Sequence, residues 1–382
     1  MLTFDTTTMI LCAVLIVMSI VSPMMNVFFR KIKKTPSDSV LQGELPPVSI
    51  LLTVHDNARD LERHLPSLLA QDYPAGYEVI IVVEKGEDDT DDVLSHFTAN
   101  HQNVYVTFVP DSSRYMSRKK LAVTLGVKAA KNEWILMAEP TCEPASDQWL
   151  KNIAQFADDN HDMVTGYANY NEDATDYQRF ERMMTECYLI WKAQHGTAYR
   201  SEPGCLMFRK NMFLDGRGYE GNLKYIRGEY DFVVNKYAEK GRTAAIAMPE
   251  CCTVEDAPDK EQWRNRHLFY LETRKHLKRS AAFRLLYNAD QTVMHLNYVL
   301  ILGCCIYAAI TSNIIVGAAA LIALIITIAL RTFFACRASS FLGENIPGWK
   351  VVPMELSMLW RNIHRKLAYI RADKYDFICH KI

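Results

Sequence analysis

The chain has 382 residues, which at about 150 residues per domain means more than one folding unit. A formal net charge of −1, from 43 Lys+Arg against 44 Asp+Glu, excludes a general nucleic-acid binder, and 49% hydrophobic residues exclude intrinsic disorder. A mean hydropathy of −0.09 excludes a protein embedded in membrane throughout and leaves room for a soluble domain with a few spans.

Met9 to Phe29 contain no charged residue and are rich in Leu, Ile, Val and Met. At roughly 1.5 Å per residue the run is about 31 Å long, enough to cross a bilayer core. Asp5 precedes it, and Arg30, Lys31, Lys33 and Lys34 follow. A secretory signal has its positive charge in front. The positive-inside rule therefore puts the N-terminus outside and the rest of the soluble chain in the cytoplasm. Pro36, Pro46 and Pro47 mark residues 31–47 as a linker.

Next come strands and helices in alternation. Val48–Val54 and Glu78–Val83 are short apolar runs, as expected of strands buried on both faces. Val104–Val109 and Trp134–Ala138 read as two more strands. Leu61–Gln71 and Arg118–Ala130 carry apolar residues at helical spacing between them. This order predicts a doubly wound α/β sheet with right-handed crossovers, whose ligands bind beyond the carboxyl ends of the strands. The segments at those ends are Thr53-Val54-His55-Asp56-Asn57, Glu84 to Thr90, and Glu139-Pro140-Thr141. An acid follows three strands on one rim, and such a rim can chelate a divalent ion or hydrogen-bond a ribose. No GxGxxG, P-loop or GxSxG motif is present, so dinucleotide oxidoreductases, P-loop enzymes and α/β-hydrolases lose support. Tyr177–His195 reads as a helix whose aromatics are core, and residues 205–208 as a further strand.

A second uncharged stretch, Gln291–Leu330, is about twice the ~20 residues of one span. Thr311, Ser312 and Asn313 suit a polar turn near its middle, which predicts a hairpin of two spans; one long tilted helix or a re-entrant pair is the other reading. Leu356, Leu359, Trp360, Ile363, Leu367 and Ile370 then recur at helical spacing among Arg361, Arg365, Lys366 and Arg371. Two readings stand open: a basic amphipathic helix on the anionic inner leaflet, or one packed on the soluble domain. The expected organisation is an anchor over 1–30, a linker over 31–47, an α/β domain over 48–285, a membrane hairpin over 291–334 and a cytoplasmic tail over 335–382. Ten cysteines without a CxxC are expected to be reduced thiols.

Four segments carry a family resemblance. They are VSILLTVHDNARDLERHLPSLLAQDYPAGYEVIIVVEKGEDDT, SRKKLAVTLGVKAAKNEWILMAEPTCEPASDQWL, IRGEYDFVVNKYAEKG and QWRNRHLFYLETRKHLK. In this order they resemble membrane-anchored bacterial family 2 glycosyltransferases, the inverting GT-A type. The resemblance implies a GT-A doubly wound mixed sheet and a nucleotide-sugar donor. It further implies a lipid-linked or glycan acceptor and residence in a bacterial inner membrane. It places Thr53, His55, Glu84, Lys119, Lys120, Arg264 and Arg266 toward the donor, with Glu84 on the nucleobase or ribose. The family's Asp-x-Asp holds Mg²⁺ or Mn²⁺ against the donor diphosphate; here the triplet is Glu139-Pro140-Thr141. Glu139 is the candidate metal ligand, and Thr141 supplies no carboxylate. Lys119, Lys120, Arg264, Arg266 and His267 are the cations that could compensate. The family's Gly-Glu-Asp reads Gly228-Glu229-Tyr230-Asp231, with Tyr230 at the usual base position. A phenol with a pKa near 10 is a poor base at neutral pH. Asp231 is the first choice for the base that deprotonates the acceptor hydroxyl and Glu229 the second, the alternative for Asp231 being a helix cap. Two functions remain open: sugar transfer to a lipid-linked or polysaccharide acceptor, or a catalytically impaired GT-A-like subunit that binds a partner enzyme or nucleotide sugar. A processive synthase that exports its polymer is set aside, since three spans are few for a conduit.

Overall fold

Residues 5–33, 44–84, 89–110 and 117–379 are described by the computed structural model of the protein. Lys34, Pro36 and Lys85–Asp88, which the sequence reading used, lie outside them. In chain order the elements begin with α1 (Thr6–Met25), β1 (Val48–Val54), α2 (Ala58–Leu69), β2 (Tyr77–Val83), α3 (Thr90–Asn100), β3 (Val104–Phe108), α4 (Arg118–Ala129) and β4 (Trp134–Ala138). They continue with β5 (Cys142–Pro144), α5 (Trp149–Ala154), β6 (Met163–Thr165), β7 (Ala168–Tyr170), α6 (Asp176–His195), β8 (Leu206–Arg209), α7 (Lys210–Asp215) and α8 (Glu229–Tyr237). The last are β9 (Thr243–Ala245), β10 (Thr253–Glu255), α9 (Lys260–Thr273), α10 (Ala281–Thr311), α11 (Ile314–Phe341) and α12 (Gly348–Arg371).

The chain divides into two units, one of Met1–Lys31 with Arg279–His364, the other of Ile32–Lys278 with Arg365–Ile382. In the second, a seven-stranded sheet has the order β3-β2-β1-β4-β8-β6-β9, and a small sheet has the order β5-β10-β7. β1 pairs in parallel with β2 and β4, and β2 with β3; β8 runs antiparallel to β4 and β6. The sheet is therefore mixed, parallel where the chain alternates strand and helix. β1 and β4 are apolar along their length because both faces are covered, with Ile50, Leu52, Leu136 and Ile153 in one core cluster and Leu51, Ile135, Val123 and Val127 in the other. Each such side chain contributes about 1.5–3 kcal/mol on burial. α4 lies close on β1 because position 126 is glycine: a Cβ there would stand 2.1 Å from Leu51 Cδ1. That approach directs the α4 N-terminus to the carboxyl ends of the parallel strands.

In the first unit α1, α10 and α11 are each long and apolar enough to cross a membrane. Asn313 separates α10 from α11 and caps α11, its side chain accepting from Ile315 N and Val316 N at 3.2 and 3.3 Å. Two helices thus stand in place of one long one, both longer at their outer ends than the apolar run. Arg331 of α11 is buried and pairs with Glu355 of α12 (3.0 Å) and Asp290 of α10 (3.1 Å). It also donates to the carbonyl of Ser22 in α1 (2.9 Å), so one guanidinium ties four helices together.

Candidate functional site

A cleft of about 630 Å³ opens where the parallel strands end. β1 delivers Thr53, Val54 and His55 to it, with Asn57 beyond; β2 delivers Glu84 and β4 delivers Glu139. The start of α4 supplies Ser117, Arg118, Lys119 and Ala122, and the loop before α8 supplies Ile226 and Arg227. Cys379, from the far end of the chain, completes the lining.

Charge organises this cleft. Lys119 Nζ donates to both carboxylate oxygens of Glu139, at 2.8 and 2.9 Å. Arg118 forms an ion pair with Glu84. Arg227 adds a third cation. α4 is twelve residues long and points its N-terminal end, with its unpaired amides, to the same place. Ser117 caps it, its hydroxyl accepting from Lys120 N at 3.4 Å. Three cations and a helix N-terminus against two carboxylates leave a surplus suited to a dianionic group.

Lys120 takes a different part from its neighbour. Its side chain is fully buried and its Nζ donates to the carbonyls of Tyr225 and Arg227, the latter at 3.0 Å. Burial pulls its pKa down to about 8, against the pull of Glu229. It holds the loop in place and does not line the cleft. Ser117 grips the same loop, donating to Ile226 O (2.9 Å) through its hydroxyl and to Leu223 O (2.8 Å) through its amide.

The Gly228-Glu229-Tyr230-Asp231 segment opens α8. Gly228 sits at φ +98°, and a Cβ there would meet Thr273 Cγ2 at 2.7 Å, so the turn into the helix requires glycine. Glu229, Tyr230 and Asp231 are all buried. Burial, reinforced by the nearby Glu139 carboxylate, holds the Tyr230 phenol well above its usual range, so it stays protonated. Asp231 receives Arg200 Nε at 3.2 Å; burial still raises its pKa, against that guanidinium.

Asp231 stands at the end of a buried relay of charges. Arg200 pairs with Glu202, Glu202 with Arg182 (3.2 Å), Arg182 with Glu255, and Glu255 with Arg266. Arg266 is thereby committed to Glu255 and the Tyr170 hydroxyl, while Arg264, on another side of α9, is exposed. Of the residues expected on the donor, the cleft gathers Thr53, His55, Glu84 and Lys119, together with Glu139; Lys120, Arg264, Arg266, Glu229 and Asp231 are not among its lining. Arg118, Arg227, Arg200 and Cys379 were not singled out from the sequence. Arg227 had a signal, since it immediately precedes Gly228-Glu229; Cys379 had none.

A divalent ion needs several hard oxygen ligands. Among the described residues no group of three or more His, Cys, Asp or Glu side chains comes together to hold one. The one carboxylate at the triplet, Glu139, has both oxygens on Lys119, and Thr141 brings no charge. The residues present do not form a metal cage.

Known proteins place this arrangement. A mannosyltransferase from Pyrobaculum calidifontis, solved with GDP-mannose and Mn²⁺, superposes over 93% of this chain and 99% of its own, with a TM-score of 0.53 at 15% identity. Glycosyltransferase AglE of Haloferax volcanii is 24% identical over 151 residues, 37% of this chain and 48% of that protein, so the chain spans about half the length of this curated relative. The fold is that of a GT-A type glycosyltransferase, a mixed sheet with three apolar helices able to span a membrane. Residues 11–374 match glycosyl transferase family 21, and the chain belongs to that family. That membership supports glycosyl transfer.

Proposed function

We propose that the chain transfers a sugar, with inversion at the anomeric carbon, from a nucleotide-sugar donor held in the cleft to a lipid-linked or polysaccharide acceptor. The observation that carries this reading is the cation surplus at the carboxyl ends of β1, β2 and β4, where Arg118, Lys119, Arg227 and the α4 N-terminus converge. A donor diphosphate gains charge as it leaves, and fixed cations that need no reorganisation stabilise that charge. Glu84 is read as the partner of the ribose or base, with Thr53 and His55 beside it. The diphosphate displaces Glu139 from Lys119, or binds on the far side of the ammonium.

Asp231 is read as the base and Glu229 as its substitute. Inversion requires the acceptor oxygen to attack opposite the leaving diphosphate while a carboxylate takes its proton. Burial raises Asp231 toward the range where a carboxylate accepts protons effectively, and Arg200 holds it in place. The catalytic domain is proposed as residues 48–285, with the apolar helices as anchor and residues 335–382 as tail. The flanking charges Arg30, Lys31 and Arg331 support a cytoplasmic catalytic domain and an outside N-terminus.

The test uses full-length protein in detergent with a panel of nucleotide sugars, following nucleoside diphosphate release and the anomeric configuration of the product. Asp231→Asn is expected to lower kcat by about 10²–10⁴-fold, the range of a lost general base. Because the base acts as a carboxylate and its pKa is raised, kcat/KM falls as pH drops, with an inflection above the ordinary Asp value of about 4. Retained configuration, or full turnover in both Asp231→Asn and Glu229→Gln, would overturn the mechanism.

A further inference from the structure

One wall of the cleft comes from the C-terminus. After α12 the chain makes a 3-10 turn, Lys374–Phe377, capped by Asp373, whose carboxylate accepts from Tyr375 N at 3.0 Å. Phe377 is buried against Leu268 and Leu271 of α9 and Tyr369 of α12. Its ring stands edge-on to Phe269 at 5.3 Å. Past this plug the backbone pairs with the loop that leads into α8. Ile226 N donates to Phe377 O (3.1 Å), Tyr225 and Ile378 form an antiparallel bridge, and Cys379 N donates to Lys224 O (2.9 Å). The loop is thus held twice, by Ser117 and Lys120 of α4 and by the tail. The same loop carries Ile226 and Arg227 into the cleft, and Cys379 lines the cleft beside them.

A tail that only covered core would end at Phe377. This one continues for two residues in register with a cleft-forming loop and ends its described course in the cleft lining. We propose that Asp373–Cys379 is a working part of the donor site: it fixes the path of residues 223–227 so that Arg227 meets the diphosphate of a bound nucleoside diphosphate, and the Cys379 side chain lies against that nucleotide. The proposal rests on the reading of the cleft as a nucleotide-sugar site. Phe377 is a positioning residue; it acts through the loop and touches no substrate.

Cys379 supplies a reporter. The cysteines 142, 187, 205, 251 and 252 of the sheet-bearing unit are buried, whereas Cys379 is partly exposed. Alkylation needs an exposed thiolate, and burial raises the Cys379 thiol above its usual value, so N-ethylmaleimide at mildly alkaline pH discriminates it from the buried thiols. The experiment takes the full-length protein in detergent and first measures binding of GDP, UDP and dTDP by calorimetry. It then follows N-ethylmaleimide labelling of Cys379 by peptide mass spectrometry, with and without the nucleotide that binds, using Cys379→Ser to fix the position of the label. Saturating nucleotide is expected to slow labelling at least about fivefold, as occupancy of the same space requires. Phe377→Ala is expected to raise the donor KM about tenfold with kcat within about threefold, and Phe377→Leu to restore most of the loss, the pattern of weakened ground-state binding.

No binding of any of the three nucleotides would overturn the reading of the cleft and this proposal with it. Binding with an unchanged labelling rate, or no labelling of Cys379 in the nucleotide-free protein, would overturn this proposal alone. So would a Phe377→Ala enzyme with unaltered KM. The labelling arm uses the unmutated chain and therefore stands even where Phe377→Ala folds poorly.

Discussion

The Arg331 side chain has no exposed surface and sits between Asp290 and Glu355, whereas Lys119 and Arg118 keep 24% and 32% of their side chains exposed beside Glu139 and Glu84. Both regions are built from cations facing carboxylates, and burial separates what they do. Removing one partner of a buried pair strands a charge and costs about 3–5 kcal/mol. A solvent-exposed pair contributes about 0–1 kcal/mol because water and salt compete for it, and the partly exposed cleft pairs lie nearer that end than the fully buried clamp does. The helix clamp is therefore fixed, and the cleft pairs are exchangeable. A diphosphate that takes Lys119 and Arg118 gives up little in breaking them. Stability and binding thus draw on the same chemistry at different depths.

The largest expected effect tests the fixed end of that comparison. Arg331→Met removes the guanidinium between Asp290 and Glu355, and is expected to destabilise the protein by about 3–5 kcal/mol. Thermal unfolding in detergent reads it; a midpoint unchanged within a degree or two would show that the clamp is dispensable. Next comes the exchangeable end. Lys119→Ala is expected to lower kcat/KM for the donor by about 10–100-fold, as loss of a charge-assisted contact to the diphosphate implies, while moving the unfolding midpoint by less than about 2 °C. Because Glu139 is the one carboxylate at the triplet and no group of three or more His, Cys, Asp or Glu side chains comes together among the described residues, wild-type turnover is expected to stay within about twofold in excess chelator. Loss of activity with EDTA and its return with Mn²⁺ would show that Glu139 leaves Lys119 for a metal.

The smallest effect sharpens the rule that depth decides. Glu186 is buried beside Arg182 and accepts from Ala168 N at 3.2 Å. Burial lifts its pKa from 4.5 to about 7 against the pull of Arg182. The folded-state pKa is raised, so the stability this group contributes is full below about 4.5 and is lost as pH rises through about 7. Glu186→Gln keeps the acceptor oxygen and cannot ionise. Relative to wild type it is expected to be more stable at pH 8 and equally stable at pH 4.5, read from unfolding midpoints at the two pH values. An equal shift at both would mean that the carboxyl does not titrate there.

Much of the fold was legible because its signals are local. β1 and β4 are covered on both faces and read as short, mostly apolar runs, and apolar residues at helical spacing marked α2 and α4 between them. The donor rim was half legible. Thr53, His55, Glu84 and Glu139 follow strands, and strand ends share one edge of a parallel sheet. Lys119 and Lys120 could not be told apart, since neighbours on a helix point about 100° apart and only one faces the cleft. The relay from Arg266 to Asp231 was hidden, because Arg182, Arg200, Glu202 and Glu255 meet only through tertiary packing. Cys379 was hidden most deeply, its place set by pairing with a loop more than 150 residues earlier.

Of residues 223–227, Tyr225 is held by its side chain, stacked on His276 and Phe232, while the other hydrogen bonds that fix the stretch fall on main-chain atoms: the carbonyls of Leu223, Lys224, Tyr225, Ile226 and Arg227, and the amide of Ile226. Amides and carbonyls are common to every amino acid save proline's missing N–H. Apart from Tyr225, the course of this stretch therefore depends little on which side chains it bears. Other side chains at positions 226 and 227 would change the lining of the cleft while the main-chain scaffold that carries them stays put.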